Sequence, residues 1–136
     1  MARFHESTKV DASADKAWSV VRDLTTMGKL SGAANVRVEG MKRICTFSNG
    51  IVQHEEISDY SEKKRSYRYS IEGSPLPVRN NKGKFAIEAS GMNSVVVWDA
   101  EFEALDPAQE PQVAKMWEGA LNQFLESLRQ LIERGK

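Results

Sequence analysis

The chain has 136 residues, 40% hydrophobic and 28% charged, the balance of a folded globular domain of ordinary size. Its 19 lysines and arginines are matched by 19 aspartates and glutamates, so it lacks the basic excess with which a nucleic-acid or anionic-membrane binder neutralises phosphates. One cysteine, Cys45, excludes an internal disulfide and any zinc site built on several thiolates; neither a metal nor a cofactor is expected.

Polar and apolar residues alternate from Phe4 to Val10, which reads as a first strand rather than as the apolar run of a signal peptide. No stretch approaches the length of a membrane span, so a cytoplasmic protein without membrane insertion is expected. Ser13 is placed as an N-cap ahead of Trp18, Val21 and Leu24 at helical spacing. Gly28 and Gly32 interrupt the next stretch, so one or two short helices fit up to about Leu30. From Asn35 to Leu105, runs rich in Val, Ile, Tyr and Phe alternate with turn signals, and six strands fit: 35–39, 42–48, 51–59, 65–72, 79–89 and 94–104. Val113, Met116, Trp117, Ala120, Leu121, Phe124, Leu128, Leu131 and Ile132 then fall on one helical stripe, with Pro111 near its start and Gly135 at its end. A helix of that length, about 30 Å, needs a large apolar partner, and the concave face of the sheet is the one available. Residues 1–136 therefore form a single α+β domain of helix-grip type. A seven-stranded curved antiparallel sheet surrounds a long C-terminal helix, with two short helices after the first strand.

Strand parity assigns the lining. Val96, Trp98, Ala100 and Phe102 face in, against Asp99, Glu101 and Glu103. Phe85 and Ile87 face in, against Lys82, Lys84 and Glu88. Tyr67, Tyr69 and Ile71 face in, against Ser66, Arg68, Ser70 and Glu72. The hairpin at Ser48-Asn49-Gly50 allows two registers. A three-residue loop with Gly50 left-handed pairs Phe47 with Ile51, Cys45 with Gln53 and Arg43 with Glu55. A two-residue Asn-Gly turn would instead turn Val52, His54 and Glu56 inward and leave Ile51 and Ile57 in water. The first is preferred.

That register sets Arg43, Gln53 and Glu55 on the inner face beside Tyr67 and Tyr69. Two readings stay open. The charges satisfy each other near the sheet edge, or they form the polar centre of a small-molecule site with apolar walls. In the second reading Glu55 is a general base, and Arg43 with the phenol hydroxyls holds a developing oxyanion or anchors a ligand. Phe47, Phe85, Trp98, Phe102, Trp117 and Leu121 complete the candidate ligand-binding set. Trp117 reads as core more readily than as a stacking platform, and Cys45 as a buried small hydrophobe rather than a nucleophile. His5 and His54 are expected on the surface. Arg79, Asn80, Asn81, Lys82 and Lys84 read as a solvated basic strand end, or less readily as a spot that recognises an acidic ligand group at the entrance, and the 73–78 loop as either a rigid connection or a gate.

The order strand, two helices, six strands, long helix resembles the START-like superfamily of polyketide cyclases and birch-pollen-allergen-like proteins (SRPBCC). Several segments look like its cyclase/dehydrase branch: Ala12-Ser13-Ala14-Asp15-Lys16-Ala17-Trp18, Val38-Glu39-Gly40 with Arg43, Glu55-Glu56-Ile57, Arg65-Ser66-Tyr67-Arg68-Tyr69, Gly73-Ser74-Pro75-Leu76-Pro77-Val78, and Val97-Trp98-Asp99-Ala100-Glu101-Phe102-Glu103-Ala104. Within that branch the chain is similar to the lachrymatory factor synthases, which rearrange a small sulfenic acid with an arginine, a glutamate and a nearby tyrosine. The resemblance carries those roles to Arg43, Glu55 and either Tyr67 or Tyr69. The loop after Gly40 is shorter here, which bears on the substrate class. The resemblance implies a small hydrophobic or aromatic molecule as partner and cofactor-free cyclase, dehydratase or isomerase chemistry. The alternatives are a non-catalytic carrier or sensor and an interaction module with a vestigial cavity. A homodimer stays open.

Overall fold

In the computed structural model, residues 1–73 and 77–134 are described. Strand β1 (Ala2–Val10) is followed by helices α1 (Ala14–Val21) and α2 (Leu24–Leu30), then by β2 (Asn35–Glu39), β3 (Lys42–Thr46), β4 (Val52–Ser61), β5 (Ser66–Glu72), β6 (Val78–Ser90) and β7 (Asn93–Ala104). A turn of 3-10 helix at Pro107–Gln109 leads into α3 (Glu110–Arg134). All neighbouring strands are antiparallel, in the order β1-β7-β6-β5-β4-β3-β2. This is the helix-grip α+β fold. The expected closing Gly135 and positions 74–76 of the 73–78 loop lie outside the described residues.

Local chemistry explains the first turns. The Ser13 hydroxyl accepts from the Lys16 N–H at 3.1 Å, and the Asp23 carboxylate accepts from Thr25 and Thr26 at the start of α2. Gly28 does not break that helix. It lies inside it, because a side chain there would meet Val36 at 2.9 Å, so the glycine lets α2 close onto β2 and β3. At the next hairpin the Phe47 N–H donates to the Ile51 carbonyl and the Gly50 N–H to the Phe47 carbonyl, both at 2.9 Å, with Gly50 at φ +88°. The three-residue loop is therefore the one formed, and Arg43 pairs with Glu55 and Cys45 with Gln53.

The core lies between α3, α1 and the concave sheet face, and includes Trp18, Val21, Met27, Tyr67, Phe85, Trp98, Leu121, Leu125, Leu128 and Ile132. The stripe of α3 is narrower than its sequence suggests. Met116 is 53% exposed and Ala120 is also exposed, whereas Leu125 is buried. The buried set Val113, Leu121, Leu125, Leu128 and Ile132 keeps the spacing of one helical face, and Met116 lies at its margin. On β5, Ser66 is buried rather than exposed; it pairs with Ser61 beyond the register shift in β4. Among the described residues no helix is long and apolar enough to cross a membrane.

Candidate functional site

The register of β3 against β4 brings Arg43 and Glu55 side by side on the inner face, each only 4% exposed. Arg43 Nε and Nη2 donate to Glu55 Oε2 and Oε1 at 2.9 and 2.7 Å, a bidentate pair. Nη1 donates to the Leu24 carbonyl at 2.9 Å, so the same guanidinium holds the first turn of α2 against the sheet. Gln53 Nε2 and Cys45 Sγ donate to Glu55 Oε2 at 3.2 and 3.4 Å. Oε2 thus accepts three hydrogen bonds while Oε1 accepts one, which leaves Oε1 a lone pair. Burial works to discharge Arg43, but the charge and hydrogen bonds of Glu55 outweigh it and hold the guanidinium above its ordinary value. Burial also pushes the Cys45 thiol up to about 12, with the Glu55 charge acting in the same direction.

Tyr67 completes this centre. It is wholly buried against the Arg43 guanidinium, and its hydroxyl makes no hydrogen bond of good geometry. Burial pushes the phenol up to about 12, against the opposing pull of the Arg43 charge, so it is a protonated donor at neutral pH. Tyr69 differs: its oxygen accepts from the Trp98 indole N–H at 2.8 Å, and burial raises it too. Gly83 makes that arrangement fit, because a Cβ there would stand 2.5 Å from the Tyr69 oxygen. Phe85 stacks on Trp98 with ring centres 4.8 Å apart, and Phe124 from α3 closes on Trp98 at 5.0 Å.

Of the residues expected at the site, Arg43, Gln53, Glu55, Tyr67, Tyr69, Phe85, Trp98, Phe102 and Leu121 are all buried. Phe47 is half-buried at the hairpin, outside the continuous core, and Trp117 is half-buried with its ring edge-on to Phe102 at 5.6 Å. His5 and His54 are exposed, as expected. Asn81 is not part of a solvated strand end: it is 2% exposed, and neither its amide nitrogen nor its oxygen has a partner. It continues the inward parity of Phe85 and Ile87 and pairs with Ile71 of β5. A bulge precedes it: Asn80 takes φ +51° where the register of β6 on β7 shifts between Arg79 and Lys82, which keeps Arg79 outside although it shares the parity of Asn81. Alternation with Phe85 and Ile87 was the available signal.

An apolar groove of about 480 Å³ opens where β7 passes into α3, lined by Pro77, Leu105, Val113 and Met116. A larger one, about 650 Å³, lies on the outer sheet face among Arg3, His5, Arg68, Lys82, Lys84, Asp99 and Glu101. It is remote from the inner side chains of Arg43 and Glu55, and its charges are largely paired with one another or with Asp59. Among the described residues no three His, Cys, Asp or Glu side chains converge as a metal site.

Solved structures share this architecture. An uncharacterized protein from Bacillus thuringiensis superposes with a TM-score of 0.85 at 20% identity, covering 96% of this chain and 98% of that one. Norcoclaurine synthase from Thalictrum flavum, solved with dopamine and hydroxybenzaldehyde, gives 0.70 at 20% identity, over 99% and 88% of the two chains. The di-domain ARO/CYC BexL of the BE-7585A biosynthetic pathway gives 0.78 at 18% identity, over 96% of this chain and 46% of that one. No curated protein matches the chain. The family profile for polyketide cyclase/dehydrase and lipid transport matches residues 1–133, and the chain belongs to that family.

Proposed function

We propose that the protein binds a small hydrophobic or aromatic molecule between α3 and the concave sheet, and that Arg43 and the Tyr67 hydroxyl hold its polar group. The carrying observation is the fully buried, unpartnered Tyr67 hydroxyl beside a guanidinium that has committed only three of its five N–H groups. A buried donor without a partner costs about 1–3 kcal/mol, and an oxygen brought in by a ligand would remove that penalty. Membership of a family described by cyclase, dehydrase and lipid-transport activity supports a ligand of this kind. The small aromatic compounds bound in the norcoclaurine synthase structure support the aromatic class.

The chemistry that suits this arrangement is cofactor-free proton transfer of the cyclase, dehydratase or isomerase type, in the cytoplasm. Glu55 takes a proton through the lone pair left on Oε1, while Arg43 and Tyr67 receive the negative charge that develops on the neighbouring oxygen. The resemblance to the lachrymatory factor synthases, whose arginine and glutamate match Arg43 and Glu55, supports this reading. Screening phenolic and polyketide-like compounds by thermal shift identifies a ligand, and Glu55→Gln then separates binding from turnover. Retained affinity with lost turnover is the expected result; an unchanged rate removes Glu55 from the mechanism.

The second reading, a carrier or sensor, is favoured by the saturation of Glu55 Oε2, since a carboxylate already held by four donors is as well suited to fixing Arg43 as to accepting a proton. Native mass spectrometry of the purified protein decides between them. A carrier returns its ligand chemically unchanged.

A further inference from the structure

The inner face carries a row of residues in register across four strands: Arg43 pairs with Glu55, Glu55 with Ile71, and Ile71 with Asn81. At strand spacing the row runs about 14 Å from Arg43 to Asn81, and about 10 Å from Glu55 to Asn81. Its ends are polar and Ile71 between them is apolar. Asn81 is buried with both amide atoms unpartnered, although an amide offers two donors and an acceptor. Beside it, β7 places Phe102 opposite the bulge, and the Phe102 ring packs edge-on against Trp117. The Trp117 indole N–H is also buried and unpartnered. Two structural polar groups left unmet at one end of a core would cost as much as several good contacts contribute. The groove lined by Pro77, Leu105, Val113 and Met116 opens at this end: Val113 lies one turn before Trp117 on α3, and Ala104 lies two residues after Phe102 on the same face of β7.

We propose that Asn81 and Trp117 form a second polar station, which takes a hydroxyl or carbonyl at the far end of the ligand. This rests on the reading of Arg43 and Tyr67 as the first station. The ligand class is then narrower than "hydrophobic": a flat apolar body with an oxygen function at each end, about 10–14 Å apart, the span to Asn81 from Glu55, onto which the Arg43 head group is paired, and from Arg43 itself. One end meets the guanidinium and phenol. The other meets an amide, which can donate and accept, and an indole, which can only donate. A molecule with a polar group at one end alone would leave the second station unmet and bind more weakly.

Two matched probes test this, 2-naphthoic acid and 6-hydroxy-2-naphthoic acid, titrated into the intact chain by calorimetry. The hydroxylated probe is expected to bind roughly three- to tenfold more tightly, the range set by one net hydrogen bond. In Asn81→Leu the preference disappears while affinity for 2-naphthoic acid stays within about twofold. The wild-type preference needs no variant, so it stands even if Asn81→Leu folds poorly. A second readout is the Trp117 indole N–H resonance, assigned with Trp117→Phe, which shifts with the hydroxylated probe and not with the other. Equal affinities and an unmoved Trp117 signal overturn the second station, and with it the two-ended ligand. The first station fails on a different result, 2-naphthoic acid binding that is unaffected by Tyr67→Phe. Failure of both probes to bind at millimolar concentration overturns both stations.

Discussion

Arg43 and Tyr67 sit side by side and are expected to respond to substitution in opposite ways. Arg43→Ala leaves the Glu55 carboxylate buried without its partner and frees the Leu24 carbonyl, so it should cost about 3–5 kcal/mol in urea unfolding. Replacing both partners at once, as Arg43→Met with Glu55→Leu, should cost less than Arg43→Ala alone, because no charge is then stranded. Tyr67→Phe removes a hydroxyl that makes no hydrogen bond of good geometry, so stability should hold or rise slightly while affinity for an oxygenated ligand falls several-fold. A large loss of stability in Tyr67→Phe would make the hydroxyl structural and end its assignment as an anchor. The pair itself was legible in the sequence, because alternation fixed the inner face and the isoleucines chose between two hairpin registers. Asn81 was legible too, since it shares the parity of Phe85 and Ile87, but the charges beside it read as a solvated strand end. Arg79 was not: the bulge at Asn80, φ +51°, reverses parity on its far side and keeps Arg79 exposed.

At the level of elements, close backbone approach matters more than side-chain pattern, and this is where sequence reading loses resolution. Periodicity placed the strands and α3 to within a few residues, yet it counted Met116 and Ala120 as core and omitted Leu125, because a stripe read along one helix does not contain the curvature of the sheet it meets. Gly83 is the same kind of case. A methyl there would stand 2.4 Å from the Asp99 carbonyl of the neighbouring strand and 2.5 Å from the Tyr69 oxygen. Gly83→Ala should therefore cost about 1–3 kcal/mol and disturb the Tyr69–Trp98 hydrogen bond, visible as altered tryptophan fluorescence. On the outer face His5 of β1 is bonded to Asp99 of β7, and that hydrogen bond, with the Asp99 charge, raises the imidazole above its ordinary value. The folded form thus binds the proton more tightly than the unfolded chain. Its small contribution is complete below about pH 6.5 and is lost as the pH rises through the folded-state value. An NMR titration of His5 should show the raised midpoint, and Asp99→Asn should return it toward normal.

Considered as a whole, the molecule separates a closed end of its interior from an open one. Cys45 lies on β3, fully buried and bonded to Glu55 in the polar centre held under α2. The apolar groove at Leu105 and Met116 lies beside β7, four strands away in the sheet order. Ligand entry at that groove need not disturb Cys45, so the thiol should report opening of the whole fold rather than local breathing at the mouth. Thiolate is the reactive form, and burial has pushed the Cys45 thiol up to about 12, so native protein at neutral pH should resist a disulfide reagent. Labelling should proceed through unfolded chain, accelerate with urea with the same slope as global unfolding, and slow in proportion to the stabilisation that a saturating probe confers. Above about pH 8.5, where the unfolded thiol ionises and the folded one does not, the unfolded state binds fewer protons and stability should decline. Labelling that is fast and indifferent to urea would mean that α2 lifts from the sheet on its own. The Arg43–Glu55 pair would then be reached from that side, and the mouth would have to be sought at α2 instead.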